Sequence, residues 1–131
     1  MNLAQVQTHL RQRLPGLIAV YLFGSQAAGQ ADASSDADFA VLVGGTVDPL
    51  LLWDLAGELA DIVHLPVDLV DLRAASTVMQ YQIITRGRLL WSDGAGAGVY
   101  EGFILNQKTE FDTARAGLLG DIYESGVVHG R

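Results

Sequence analysis

Asp36 and Asp38 open an apolar segment, DADFAVLV, and no other side chains in the chain are better placed for chemistry. Side chains two apart on a strand share a face, so both carboxylates are expected side by side at one end of a sheet. Adjacent carboxylates repel unless a proton or a cation compensates. Hard oxygen ligands of this kind suit Mg²⁺, which takes one or two protein carboxylates plus waters and substrate phosphates. Two such ions about 3.5–4 Å apart can clamp the attacking and leaving oxygens of a phosphoryl transfer. Upstream, the apolar run Leu17 to Phe23 breaks at Gly24-Ser25. Gly24 lets the backbone approach a ligand closely, Ser25 can donate its hydroxyl and N–H to a phosphate, and Gly29 keeps the turn open. Singly these are ordinary features, a turn and a solvated strand end. Their order along the chain is what points to phosphate chemistry.

The elements that must hold these residues follow from periodicity. Leu3, Val6, Leu10 and Leu14 recur at three or four residues and predict a helix over 2–14, ended by Pro15-Gly16. LIAVYLF reads as a buried strand, 26–35 as a short helical turn and loop, and 36–43 as a second strand. Asp48-Pro49 is a good helix start, and the stripe from Leu52 to Val63 predicts a helix over 49–63. A third strand is expected over 66–70, and then a helix over about 72–86, capped by Asp71 and stopped by Gly87. Arg88 to Trp91 reads as an edge strand, and residues 1–93 as the core. Gly94-Ala95-Gly96-Ala97-Gly98 reads as a linker, followed to residue 131 by a C-terminal helix of the same domain. That helix is expected to align Val99, Phe103, Phe111, Ala114, Leu118 and Ile122. This order means a single α/β (α+β) domain, with helices packed on a small mixed sheet.

Composition narrows the function. At 131 residues with half of them apolar, the chain can bury a core unaided. No apolar stretch approaches the ~20 residues of a membrane span. The N-terminus lacks signal-peptide features, and there are no cysteines for disulfides or thiolate metal sites. A cytoplasmic location is the expectation, without membrane association. The net charge is −7, from eight basic and fifteen acidic residues, so direct nucleic-acid binding is not expected. An acidic chain can still bind a triphosphate when metal ions bridge the two.

The segment Gly24, Ser25, Gly29, Ser35, Asp36 and Asp38 resembles the signature of the polymerase-β-like nucleotidyltransferase superfamily at its customary spacing. The resemblance implies the nucleotidyltransferase fold, ATP as substrate and Mg²⁺, two ions, as cofactor. It gives Ser35 the role of shaping the loop ahead of the first metal ligand. It also implies a third acid on a later strand, which completes metal binding and acts as base. Asp68 in PVDLVDL fits that post; Asp71 is its rival, but capping explains Asp71 adequately. The single small domain further resembles the minimal nucleotidyltransferases of the MntA type, antitoxins encoded beside HEPN-domain toxins. These are similar to the catalytic core of kanamycin nucleotidyltransferase without its second domain. The implied activity is transfer of AMP from ATP to a tyrosine of the partner toxin. The chain departs from the pattern at Ala28, where many relatives carry arginine.

Two other readings stay open: transfer to a small molecule of aminoglycoside type, and an inactive antitoxin acting by binding alone. Elsewhere, His64 is expected at a helix end facing the dipole. Trp53 and Trp91 are expected in packing positions, and Arg73, Arg86 and Arg88 on solvated surface or reaching toward a triphosphate. His9 and His129 show no ligand spacing.

Overall fold

The structure, a computed structural model, describes residues 1–27, 29 and 36–107. Helix α1 (Leu3–Arg13) begins where the Asn2 side chain accepts the Gln5 N–H at 3.0 Å. Strand β1 (Leu17–Phe23) follows, then one helical turn, α2 (Gly24–Ala27), and strand β2 (Ala37–Val43). Helix α3 (Pro49–Val63) starts at Asp48, whose carboxylate accepts the Leu50 N–H at 2.8 Å. Strand β3 (Val67–Asp71), a 3-10 turn (Leu72–Ala74), α4 (Thr77–Arg86) and β4 (Arg88–Ser92) come next. A further helix, α5, occupies 95–107.

The sheet order is β3-β2-β1-β4. Strand β1 runs antiparallel to β2 and β4, and β2 runs parallel to β3. The two central strands are the apolar runs, β2 interrupted only by Asp38 near its start, as a sheet covered on both faces requires. Val20, Leu22, Phe39 and Val41 face α1 and α3, together with Leu10, Leu55 and Leu59. Ala19, Tyr21, Ala40 and Leu42 face the other side with Leu72, Ile83, Tyr100 and Ile104. Strand alternation therefore turns Asp38 toward the α4 and α5 face. Arg13 and His9 of α1 both reach Glu58 of α3, at 3.0 and 2.6 Å, tying those helices together.

Several local expectations are corrected. The span 72–86 is two elements, because Ser76 caps a new helix by accepting the Met79 N–H at 3.1 Å. The helical turn after β1 begins at Gly24, two residues early. Strands β2 and β3 start one residue later than expected, at Ala37 and Val67. Of the stretch read as a linker, Gly94 stands ahead of the helix at φ +115°, and residues 95–98 form the first turn of α5. Gly96 packs against Ile18, where an added Cβ would lie 3.0 Å from its Cγ2. Ala97, Tyr100 and Ile104 form the inner stripe of α5, leaving Val99 73% exposed and Phe103 outside as well. The rest of the expected C-terminal stripe, from Phe111 to Ile122, lies outside the described residues, as do His129, Ala28 and Ser35.

Polar ties hold α5 on the sheet and on α4. Tyr21 donates its hydroxyl to Glu101 at 2.6 Å, and Tyr100 donates to Gln80 at 2.7 Å. Burial, followed by the Glu101 carboxylate, pushes the Tyr21 pKa up. Arg73 donates to the Val43 carbonyl at 2.6 Å and lies over the Tyr100 ring, so it is a structural cation rather than a solvated one. His64 ends α3 in the left-handed region, at φ 58°. Trp53 is 79% exposed, against expectation, while Trp91 is partly buried and carries Arg11 over its ring.

Candidate active site

The acids gather at the end of the sheet where β1 stops and β2 and β3 begin. Antiparallel pairing sets Phe23 opposite Asp38, and parallel pairing sets Asp68 opposite Asp38. All lie on the α4 and α5 face by alternation: Ala40 and Tyr21, two residues from Asp38 and Phe23, are buried there, and Val70, two from Asp68, packs against them. Asp36 stands one residue ahead of β2 and is exposed. Asp68 is exposed on the edge strand, whereas Asp38 is half-buried. Burial first, then the Asp68 and Asp36 charges, hold the Asp38 carboxyl above its ordinary pKa.

Gly24 closes the site from the β1 side. Its φ is +70°, and a Cβ there would overlap Asp38 Oδ2 and lie 3.3 Å from Asp38 Cγ. This is the close backbone approach that a missing side chain permits. Ser25 is the second residue of α2, and Gly29 also has φ +70°.

The donor set is one of hard carboxylate oxygens with mutual repulsion that no protein cation relieves among the described residues. Such a set fits a divalent ion completed by waters and substrate oxygens. It is not a closed cage: among the described residues no three acids or histidines already converge on one point.

Asp71 is separate from this cluster. It is 5% exposed and accepts the Val47 N–H at 2.8 Å and the Arg73 N–H at 3.2 Å. The sequence alone suggests that Asn at this position would be silent, because Asn also caps helices. The buried carboxylate changes that expectation. Asn has a single acceptor oxygen and would turn an NH₂ toward one of two N–H donors, the Val47 N–H buried and the Arg73 N–H partly so. Asp71→Asn should therefore lower stability by about 1–3 kcal/mol, read as a shifted denaturation midpoint. Asp68→Asn should leave that midpoint in place and lower transfer by roughly 10²–10⁴-fold. The opposite pattern would exchange the roles of the two residues.

A cavity of about 300 Å³ opens beside Gly24, lined also by Phe23, Met79, Gln82, Ile83, Arg86 and Gly87. Of these, Arg86 alone draws notice in the sequence as a residue that could reach a triphosphate, while Phe23 and Gly87 mark only the ends of elements. Met79 and Gln82 are visible there only as part of a helical spacing.

A small mixed sheet with acids on one face, and a glycine turn against them, defines a scaffold for nucleotidyl transfer. Residues 5–94 match the family described as polymerase beta, nucleotidyltransferase, and the chain belongs to that family. It is 48% identical over 82 residues to the protein adenylyltransferase MntA of Shewanella oneidensis, covering 63% of this chain and 59% of that one. The chain thus matches less than two thirds of that relative's length. A chain in the crystal structure of a toxin–antitoxin with AMP-PNP superposes with a TM-score of 0.83 at 34% identity, covering 93% of this chain and 98% of that chain. A complex of tri-AMPylated Shewanella oneidensis HEPN toxin with MNT antitoxin contains a chain with a TM-score of 0.75 at 33% identity, covering 92% and 95%. Among the described residues, no helix is long and apolar enough to cross a membrane.

Proposed function

We propose that this chain is a protein adenylyltransferase, which moves AMP from ATP to a tyrosine hydroxyl of a HEPN-domain toxin and so acts as its antitoxin. The observation that carries this reading is the seating of Asp38 between Gly24 and Asp68, with Asp36 just ahead. The relatives supply the substrate class, since one is a protein adenylyltransferase and others come from toxin–antitoxin complexes with AMP-PNP or an AMPylated toxin. An ATP-dependent enzyme without cysteines suits the cytoplasm.

Asp36, Asp38 and Asp68 would hold Mg²⁺. The ion, when bound, neutralises charge building on the phosphate oxygens. The residues then do the following. The turn at Gly24, Ser25 and Gly29, with Ser35 ahead of the acids, positions the triphosphate. Asp68 takes the proton of the acceptor hydroxyl, whose oxygen attacks the α-phosphorus. The bond from that phosphorus to the bridging oxygen breaks, and pyrophosphate leaves with the electron pair. The product is a phosphodiester between tyrosine and AMP, and Asp68 returns its proton to water.

The test is incubation with the partner toxin, Mg²⁺ and α-labelled ATP. Label on a toxin tyrosine is the expected result, together with lost toxin activity. Neutralisation by the Asp36→Asn variant, without label, would instead mean that binding alone suffices. A pair that neither associates nor exchanges label would leave small-molecule transfer as the better account.

A further inference from the structure

Asp68 stands on an outermost strand, and the Gly24 turn stands on the other side of Asp38, at the end of β1. With that turn holding the triphosphate, an acceptor reaches Asp68 from the β3 side. The other edge strand, β4, is separated from β2 and its acids by β1.

The β3 edge has no strand partner among the described residues. The Ala37 N–H donates to the Pro66 carbonyl at 2.9 Å. Peptide groups alternate sides along a strand, so those of Asp68 and Val70 also turn toward β2, and those of Val67 and Leu69 turn outward. Beside this edge lies a cleft walled by one stripe of α3: Pro49, Leu52, Trp53 and Ala56, at i, i+3, i+4 and i+7. Val67, Asp68 and Leu69 form its other side. At about 180 Å³ it is smaller than the roughly 300–1,000 Å³ of sites that enclose a small molecule. It suits a side chain presented by a larger partner. Trp53 and Leu50, three residues apart and both exposed, extend the apolar surface beyond the cleft. Tryptophan is among the residues that most often dominate protein–protein binding.

Resting on the adenylyl-transfer reading, we propose that the free β3 edge and the Trp53 cleft seat an extended segment of the partner toxin, the one that carries the acceptor tyrosine. Main-chain bonds to Val67 and Leu69 hold the segment as an added strand. Alternation then sorts its side chains. The residue set beside Asp68 points to the face of the acids, and that is the place of the tyrosine. Its neighbours point to the α3 side, where the cleft and Trp53 take an apolar side chain. A small-molecule acceptor has no use for a strand edge. A tyrosine flanked by apolar residues uses the edge, the cleft and Asp68 together.

Steady-state transfer to the toxin, run beside titration with a fluorescent ATP analogue, separates acceptor docking from nucleotide binding. Trp53→Ala should raise the KM for the toxin by about tenfold or more, with kcat and analogue affinity unchanged. Trp53→Phe should recover most of the loss. Val99→Ala, at a similarly exposed apolar position on α5, should change none of the three. Amide hydrogen exchange reads the main chain. When the Asp36→Asn variant binds the toxin, exchange at Val67 and Leu69 should slow by about tenfold or more, and at Asp68 and Val70 by less. An unchanged toxin KM in Trp53→Ala would overturn the assignment, as would unaltered exchange at Val67 and Leu69 in a formed complex. A raised KM in Val99→Ala alone would place the toxin on α5 instead. Trp53→Ala turning a dimer of this chain into a monomer, with toxin kinetics intact, would give the edge to a second copy. In all these outcomes the wild type still labels the toxin. A wild type that binds the analogue but neither binds nor labels the toxin would remove the transferase reading, and this inference with it.

Discussion

Replacing Asp38 or Asp36 with Asn is expected to cut AMP transfer at least about a thousandfold, or about 4 kcal/mol of barrier, while leaving the protein as stable or more so. The loss follows from the donor set. A divalent ion between protein and triphosphate needs negative oxygens, and Asn offers a neutral one in nearly the same place. The stability side follows from repulsion. Asp38 is partly desolvated and faces Asp68 and Asp36, so its carboxyl pKa is raised. A raised acid pKa means that the folded state favours the protonated form. Stability from this group is present at pH below the ordinary carboxylate value and is lost as pH rises through the raised value. At neutral pH the ionised group is a cost, which Asn removes. Thermal melts in EDTA should thus show Asp38→Asn at or above the wild type. Its advantage should shrink as the pH falls. Full transfer by both variants would end the metal-ligand assignment, and a collapsed melt would mean the carboxylates are structural.

How far the sequence could be read differs by element, and the differences have physical causes. The strands β1 and β2 were legible because LIAVYLF is an unbroken apolar run, ADFAVLV is one apart from Asp38, and both are closed by glycine. Their pairing also fixed what Asp36 and Asp38 would face, since a period of two allows only one alternative. Helix α3 was legible from Asp48-Pro49. What failed were places where a local signal has two meanings. Gly94 to Gly98 reads as a linker because glycine weakens helices, yet Gly96 packs so closely that an added Cβ would crowd the Asp93 and Ile18 side chains. The stripe through Val99 and Phe103 was offset by one residue, because the buried positions are set by Tyr100 and Ile104 contacts across the sheet. Asp71 carries a cap signal, but its second role, on the Val47 N–H, spans 24 residues and has no local trace. The cavity at α4 is likewise tertiary, made where the end of one helix meets a strand end far away in sequence.

Gly24→Ala should separate the geometry of the site from its composition, since it removes none of the functional groups. The residue sits at φ +70°, where an L side chain costs about 1–2 kcal/mol. Its added carbon would also overlap Asp38 Oδ2. The far end of an aspartate can rotate aside, so the fold should survive with a stability loss of that order. The carboxylate would then sit off its place, and a misplacement near 1 Å can cost roughly a hundredfold in rate. Gly29→Ala is the matched control: its φ is also +70°, but nothing lies within 4 Å of its added carbon. Both variants should lose similar stability and some transfer through the turn, and Gly24→Ala, which also displaces Asp38, should lose markedly more transfer than Gly29→Ala. Because its effect runs through Asp38, Gly24→Ala should cost little further activity in an Asp38→Asn background, as residues acting as one unit do. Equal loss of transfer in the two glycine variants would assign the effect to strain in the turn instead, and additive losses with Asp38→Asn would mean Gly24 touches the nucleotide independently.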